Sequence, residues 1–87
     1  LDVKEILWLE AAGDYVKIHL KERTHIVYAT LKKLTSRLSP RQFVRIHRSY
    51  MVNVSKISQI EPSNLTIDKK VLPVSQGFRD DLLRSIN

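Results

Sequence analysis

The run Phe43–Asn53 (Phe-Val-Arg-Ile-His-Arg-Ser-Tyr-Met-Val-Asn) constrains this chain more than any other stretch, because two apolar alternations meet in it with no loop between them. Phe43, Ile46, Tyr50 and Val52 are residue types that a pleated sheet buries, so the run reads as strand, corner, strand. Arg45, His47 and Arg48 are interleaved with them and bring hydrogen-bond donors with no carboxylate nearby in sequence. That makes a poor core and a good anion site.

Short β-rich segments separated by turn signals recur along the rest of the chain, which predicts a mainly β domain. Asp2–Lys4 reads as the remnant of a first strand and Ile6–Ala11 as the next. Gly13-Asp14 is a turn signal, since glycine accepts positive φ and aspartate bonds its own following backbone. In Tyr15–Leu20, Val16, Ile18 and Leu20 form a buried face against Tyr15, Lys17 and His19. Lys21–Arg23 is a charged hairpin tip, and Thr24–Tyr28 returns from it. Thr30 is placed to cap a short helix over 31–38, in which Leu31, Leu34 and Leu38 form one stripe and Lys32, Lys33 and Arg37 face water. Ser39-Pro40 ends that helix. Further strands are expected in Ser55–Ile60, Leu65–Ile67 and Val71–Val74, with Pro73 at an edge or strand end because it cannot donate a ladder bond. Ser75 is placed to cap a C-terminal helix over 76–86, with Phe78, Leu82, Leu83 and Ile86 on one side. With only six aromatic residues in a small β domain, Trp8, Tyr28, Phe43 and Tyr50 are assigned to the core.

At 87 residues the chain is one small domain, 1–87. It starts at Leu1 without Met, close to strand-like residues, which points to a fragment lacking its upstream first strand or strands. It has no cysteine, which removes disulfide scaffolds and zinc ribbons, and no long apolar run or signal-like start. A reducing cytoplasm suits it. The net charge of +6 is concentrated: residues 30–58 hold seven Lys and Arg and no acid, whereas the flanking thirds are close to balanced. If folding gathers Lys32, Lys33, Arg37, Arg41, Arg45, Arg48 and Lys56 on one side, a polyanion is the natural partner.

Chemistry other than binding finds little support. His19, His25 and His47 stand at no metal-ligand interval, so no metal is expected. Ser49 beside His47 lacks an orienting acid and an oxyanion hole, and two glycines in the whole chain exclude a phosphate loop or dinucleotide fingerprint. No enzyme and no cofactor is read here. Ser49 and Asn53 suit backbone bonding where strands turn. Arg48, long and planar with no partner close in sequence, suits guanine or a phosphate.

The run Phe43–Asn53 resembles the hallmark of the LytTR-type DNA-binding domain, the output module of many bacterial response regulators. The resemblance extends to Ile6–Ala11, Asp14–His19, Thr30–Leu34 and Leu72–Ser75, nearly the whole chain. It implies small stacked antiparallel sheets with one short and one C-terminal helix, whose loops at one edge enter successive DNA grooves. The DNA-binding candidates are then Asp14, Tyr15, Lys17, Arg45, His47, Arg48, Ser49, Gln76 and Arg79, with Lys32, Lys33 and Arg41 as phosphate contacts. The chain departs from the family after Ser75, where many members carry basic residues and this one has Gln76-Gly77. Gln76 remains suited to adenine. The resemblance further implies double-stranded DNA as partner, paired direct repeats bound by two protomers, a receiver domain on the N-terminal side, a cytoplasmic location and no membrane contact. Two other readings stay open: a basic module docking an acidic protein, and an RNA-binding domain, which needs exposed rings for base stacking.

Overall fold

Residues that alternate over only four or five positions make strands of that length, and eight of them form in the computed structural model, which describes residues 2–86. Strands β1 (Trp8–Ala12), β2 (Tyr15–His19), β3 (Thr24–Tyr28), β4 (Phe43–His47) and β5 (Tyr50–Asn53) form one antiparallel sheet in the order β3-β2-β1-β5-β4. A second antiparallel sheet joins β6 (Ile57–Ile60), β7 (Asn64–Ile67) and β8 (Lys70–Pro73), with Pro73 at the end of an outer strand as expected. Helix α1 (Leu31–Thr35) follows β3, and α2 (Arg79–Ser85) follows β8. Among the described residues no helix is long and apolar enough to cross a membrane.

The larger sheet is buried on both faces. Ile6, Leu9, Val16, Ile18, Leu31, Phe43 and Met51 form one core beneath α1. Leu7, Trp8, Val44, Ile46 and Val52 form the other with Leu65, Ile67, Leu72 and Val74 of the second sheet and Leu82 of α2. The pairings Leu9↔Met51 and Trp8↔Val52 show how consecutive residues of β1 and β5 feed opposite cores. The two outer strands of this sheet differ. Along β4, α2 packs close and the Ser75 N–H bonds the Ile46 carbonyl at 2.8 Å. β3 pairs only with β2 and exposes Ile26 and Tyr28.

Several elements depart from the sequence-based expectation. Asp2–Lys4 forms no strand: Val3–Glu5 is a 3₁₀ turn, because the Asp2 carboxylate accepts the Lys4 amide at 3.0 Å and competes with an extended backbone. The helix expected over 31–38 stops at Thr35. Its predicted cap forms, with the Thr30 hydroxyl accepting Lys33 N–H at 3.1 Å. At its other end the Thr35 and Ser36 hydroxyls donate to the Leu31 and Lys33 carbonyls, and tight Arg37-to-Leu34 and Leu38-to-Thr35 backbone bonds close the chain into turns. Leu31 is buried and Leu34 and Leu38 are half-buried against the same core. The C-terminal helix begins with a 3₁₀ turn, Gln76–Phe78, and is regular only from Arg79. Ser75 makes no side-chain cap, and Leu83 and Ile86 are exposed, leaving Leu82 as the buried anchor. Trp8 and Phe43 are buried and Tyr50 packs half-buried, but Tyr28 is 77% exposed, because the second sheet does not reach over β3.

Asn53 is the one buried polar residue among those described. Its amide nitrogen donates to the Ile6 carbonyl at 2.8 Å, and its side-chain oxygen accepts the Ser55 N–H and hydroxyl at 3.1 and 2.8 Å. It ties the start of the chain to the connection between the two sheets, the structural role its sequence position indicated. Asn53→Ala leaves the buried Ile6 carbonyl without this donor and frees the Ser55 turn, and is expected to cost about 1–3 kcal/mol. Leu34→Ala, half-buried, should cost about 1–2 kcal/mol, less than a fully buried leucine. Urea midpoints at constant slope check both.

Candidate nucleic-acid interface

Three turns from distant parts of the chain meet at one end of the larger sheet. Gly13-Asp14 joins β1 to β2 and needs glycine, since Gly13 has φ +62°. Arg48-Ser49 joins β4 to β5. The Ala11 N–H donates to the Ser49 carbonyl at 2.8 Å, which holds these two turns side by side. The third, Ser75–Phe78, is brought in by a bulge: Arg45 pairs with Met51 and His47 with Tyr50, so Ile46 has no partner on β5. It is this residue's carbonyl that accepts the Ser75 N–H.

The side chains at this end are arranged for donation. The Ser49 N–H donates to His47 Nδ1 at 3.1 Å, so the neutral ring carries its proton on Nε2; the ring also lies 5.5 Å from that of Tyr50. Arg48 is exposed, and among the described residues its guanidinium has no hydrogen-bond or ion-pair partner. Arg45 turns back instead: Nε donates to the His47 carbonyl at 3.4 Å, Nη2 to the Arg48 carbonyl at 2.7 Å, and the guanidinium carbon lies 5.8 Å from the Phe78 ring centroid. Asp14, Tyr15 and Gln76 are exposed on the flanking turns.

Other sequence candidates lie off these three turns. Lys17 is further into β2, on the sheet face between Glu10 and Ile26. Arg79 Nη1 donates to the Glu61 carbonyl at 2.9 Å, which turns it toward the second sheet. Lys32 and Lys33 are exposed on α1, which starts just beyond Tyr28 on the side of the Gly13 turn. Arg41 precedes β4, at the opposite end of that strand from Arg48, and Lys56 lies near it, since Val54 N–H donates to the Gln42 carbonyl. The seven cations of the middle third therefore do not share one side. Two neighbours of the site escaped the sequence reading. Tyr28, assigned to the core, packs edge to face on the half-exposed Tyr15 at 5.4 Å. Phe78 has its ring under Arg45, a contact that no local spacing signals. Among the described residues no group of acids and histidines could hold a metal.

This arrangement of sheets, turns and helices is that of a known fold. A solved structure described as the LytTr DNA-binding domain of a Bacillus cereus response regulator superposes with a TM-score of 0.87 at 28% identity, covering 97% of this chain and 83% of that one. The family model of the LytTr DNA-binding domain matches residues 1–87. The chain belongs to the LytTR family. Among curated relatives, an uncharacterized response regulatory protein of Vibrio cholerae is 34% identical over 88% of this chain and 33% of its own length. The sensory transduction protein LytT of Bacillus subtilis is 27% identical over 100% of this chain and 39% of its own. The chain thus spans about a third of the length of these relatives.

Within this LytTR domain Arg48 and Arg37 carry the same charge in different settings: Arg48 at the corner, Arg37 exposed between α1 and β4. Arg48→Ala is expected to cost roughly 1–3 kcal/mol on the best duplex and much less on random DNA, with Arg48→Lys restoring only part. Arg37→Ala should leave the ratio of the two affinities unchanged. Equal loss on both duplexes for Arg48→Ala would make it a phosphate clamp instead.

Proposed function

We propose that this domain binds double-stranded DNA sequence-specifically, as the output module of a bacterial two-component transcriptional regulator. The observation that carries the reading is the unpartnered Arg48 guanidinium beside His47 Nε2–H, on an exposed corner flanked by the Gly13-Asp14 and Ser75–Phe78 turns. Both groups donate, and the acceptors of base edges and phosphates are what they suit. Membership of a DNA-binding family and relatives named as response and transcriptional regulators support it. On this reading His47, Arg48, Ser49, Asp14, Tyr15 and Gln76 address the groove, and Lys32 and Lys33 address phosphate. Arg79, bonded to the Glu61 carbonyl, and Lys17, further into β2, play supporting parts. The working protein carries a receiver domain, acts in the cytoplasm without catalysis of its own, and occupies paired direct repeats as two protomers. A reading as a single-stranded RNA binder draws on Tyr15 and Tyr28, which are 49% and 77% exposed; against it, the two rings pack on each other and offer no open run of stacking faces.

Titration of a duplex selected from a random pool, a random duplex and single-stranded RNA, each across a range of salt, tests this. The selected duplex is expected to bind tightest, with a log–log salt slope of about −1.8 or steeper if Lys32 and Lys33 each neutralise one phosphate. Lys33→Ala should weaken every duplex alike and reduce the slope by about 0.9, while Arg41→Ala, at the far end of β4, leaves both unchanged. Association independent of salt, or tighter binding to RNA, overturns the reading.

A further inference from the structure

We propose that Arg45 is a positioning residue: it holds the His47-Arg48 corner and the Gln76–Phe78 turn in one fixed relation and makes no contact with DNA itself. This rests on the DNA-binding reading above and adds to it the device that presents the corner.

Arg45 immediately precedes the bulged Ile46 of β4. Its guanidinium reaches past the end of the strand to two successive carbonyls, those of His47 at 3.4 Å and Arg48 at 2.7 Å. The Arg48 carbonyl lies within the turn and has no β-ladder partner, so a charged donor is the bond available to it from the protein. The same planar group lies over the Phe78 ring, 5.8 Å from its centroid, within the range of a cation–π contact. Phe78 belongs to the 3₁₀ turn whose first neighbour, Ser75, is bonded to Ile46. One side chain therefore engages both the corner that carries Arg48 and the Gln76–Phe78 turn beside it.

The chemistry needs arginine. A lysine ammonium carries its three donors on one tetrahedral nitrogen and has no face to stack, whereas the planar fork spans two carbonyls and keeps a face for the ring. With its N–H groups committed to the corner and its face to Phe78, Arg45 lends Arg48 a fixed backbone. A preformed corner avoids the entropy of ordering on binding, and the gain is greatest where geometry matters, on a specific site. Removing the fork should therefore lower specific affinity while leaving the number of neutralised phosphates unchanged.

The test uses the 87-residue chain and its Arg45→Met, Arg45→Lys and Phe78→Leu variants. It reads affinity for the selected and random duplexes across salt, and amide hydrogen exchange at Arg48 and Ser49 without DNA. For Arg45→Met the ratio of selected to random affinity is expected to fall roughly tenfold, with the salt slope unchanged and faster exchange at the corner. Arg45→Lys should recover only part of the ratio. Phe78→Leu keeps the cation and covers the case in which Arg45→Met fails to fold; it should lower the ratio in the same direction at constant slope. In a double-mutant cycle Arg45→Met should cost little once Arg48 is Ala, because the effect passes through Arg48. A slope smaller by about 0.9, with both duplexes weakened alike, makes Arg45 a direct phosphate contact and overturns the proposal. So does full additivity with Arg48→Ala. If the unaltered chain shows no duplex preference, the DNA-binding reading fails separately, and unchanged exchange at the corner in Arg45→Met then overturns the positioning role as well.

Discussion

Everything in this domain depends on a sheet that must satisfy two cores at once. Trp8 and Leu9 on β1, like Met51 and Val52 on β5, are consecutive residues sent to opposite faces, one toward α1 and the other toward the second sheet. In a strand with one wet face, a slip by one residue already turns the whole apolar set toward water. Here a shift by one residue exchanges the contents of both cores and places each side chain against a space shaped for another. The register is thus fixed, and with it the positions of the turns that close the strands. Precision at the Gly13 and Arg48 turns derives from burial several residues away.

The same logic accounts for the bulge in β4. Its extra residue, Ile46, is fully buried and anchors the strand in the core shared with Leu82, while its carbonyl is left to receive Ser75. A regular strand gives its carbonyls to the ladder or to solvent in strict alternation; the interruption supplies a docking point for a segment some thirty residues later. Arg45 and Arg48, three positions apart and equal in charge, end in opposite circumstances because they lie on either side of this irregularity. One is spent on backbone and ring, the other is left unpartnered.

Much of this was legible in the residues because it is local. The corner at Phe43–Asn53, the Gly13 turn, the Thr30 cap and the end-of-strand Pro73 each follow from what one or two neighbouring residues permit, and each stands where expected. The sheet-stacking fold came from resemblance, and the superposition bears it out. What escaped depends on partners remote in sequence. The stripe Leu31, Leu34, Leu38 is a valid helical pattern, but Thr35 and Ser36 spend their hydroxyls on backbone carbonyls and the chain tightens before the stripe is complete. Ser75 looked like a cap, yet its amide serves Ile46 and its side chain is idle. Tyr28 has the composition of a core residue and the position of a rim residue, since the second sheet is too narrow to cover it. Whether the acid-free third makes one basic face was not legible, because sequence gives no direction; β4 places Arg41 and Arg48 at opposite ends of a strand.

The two margins of the larger sheet are not equivalent. Along β4 the Ile46 carbonyl is taken by Ser75 and α2 packs close, whereas among the described residues no strand pairs with the outer edge of β3 beside Ile26 and Tyr28. A sheet open on both margins can grow without limit by adding copies, which is the geometry of fibres. With one margin blocked, growth through this sheet is self-terminating: if two copies joined along β3, each would present only its shielded side outward, and the chain of additions would end at a pair.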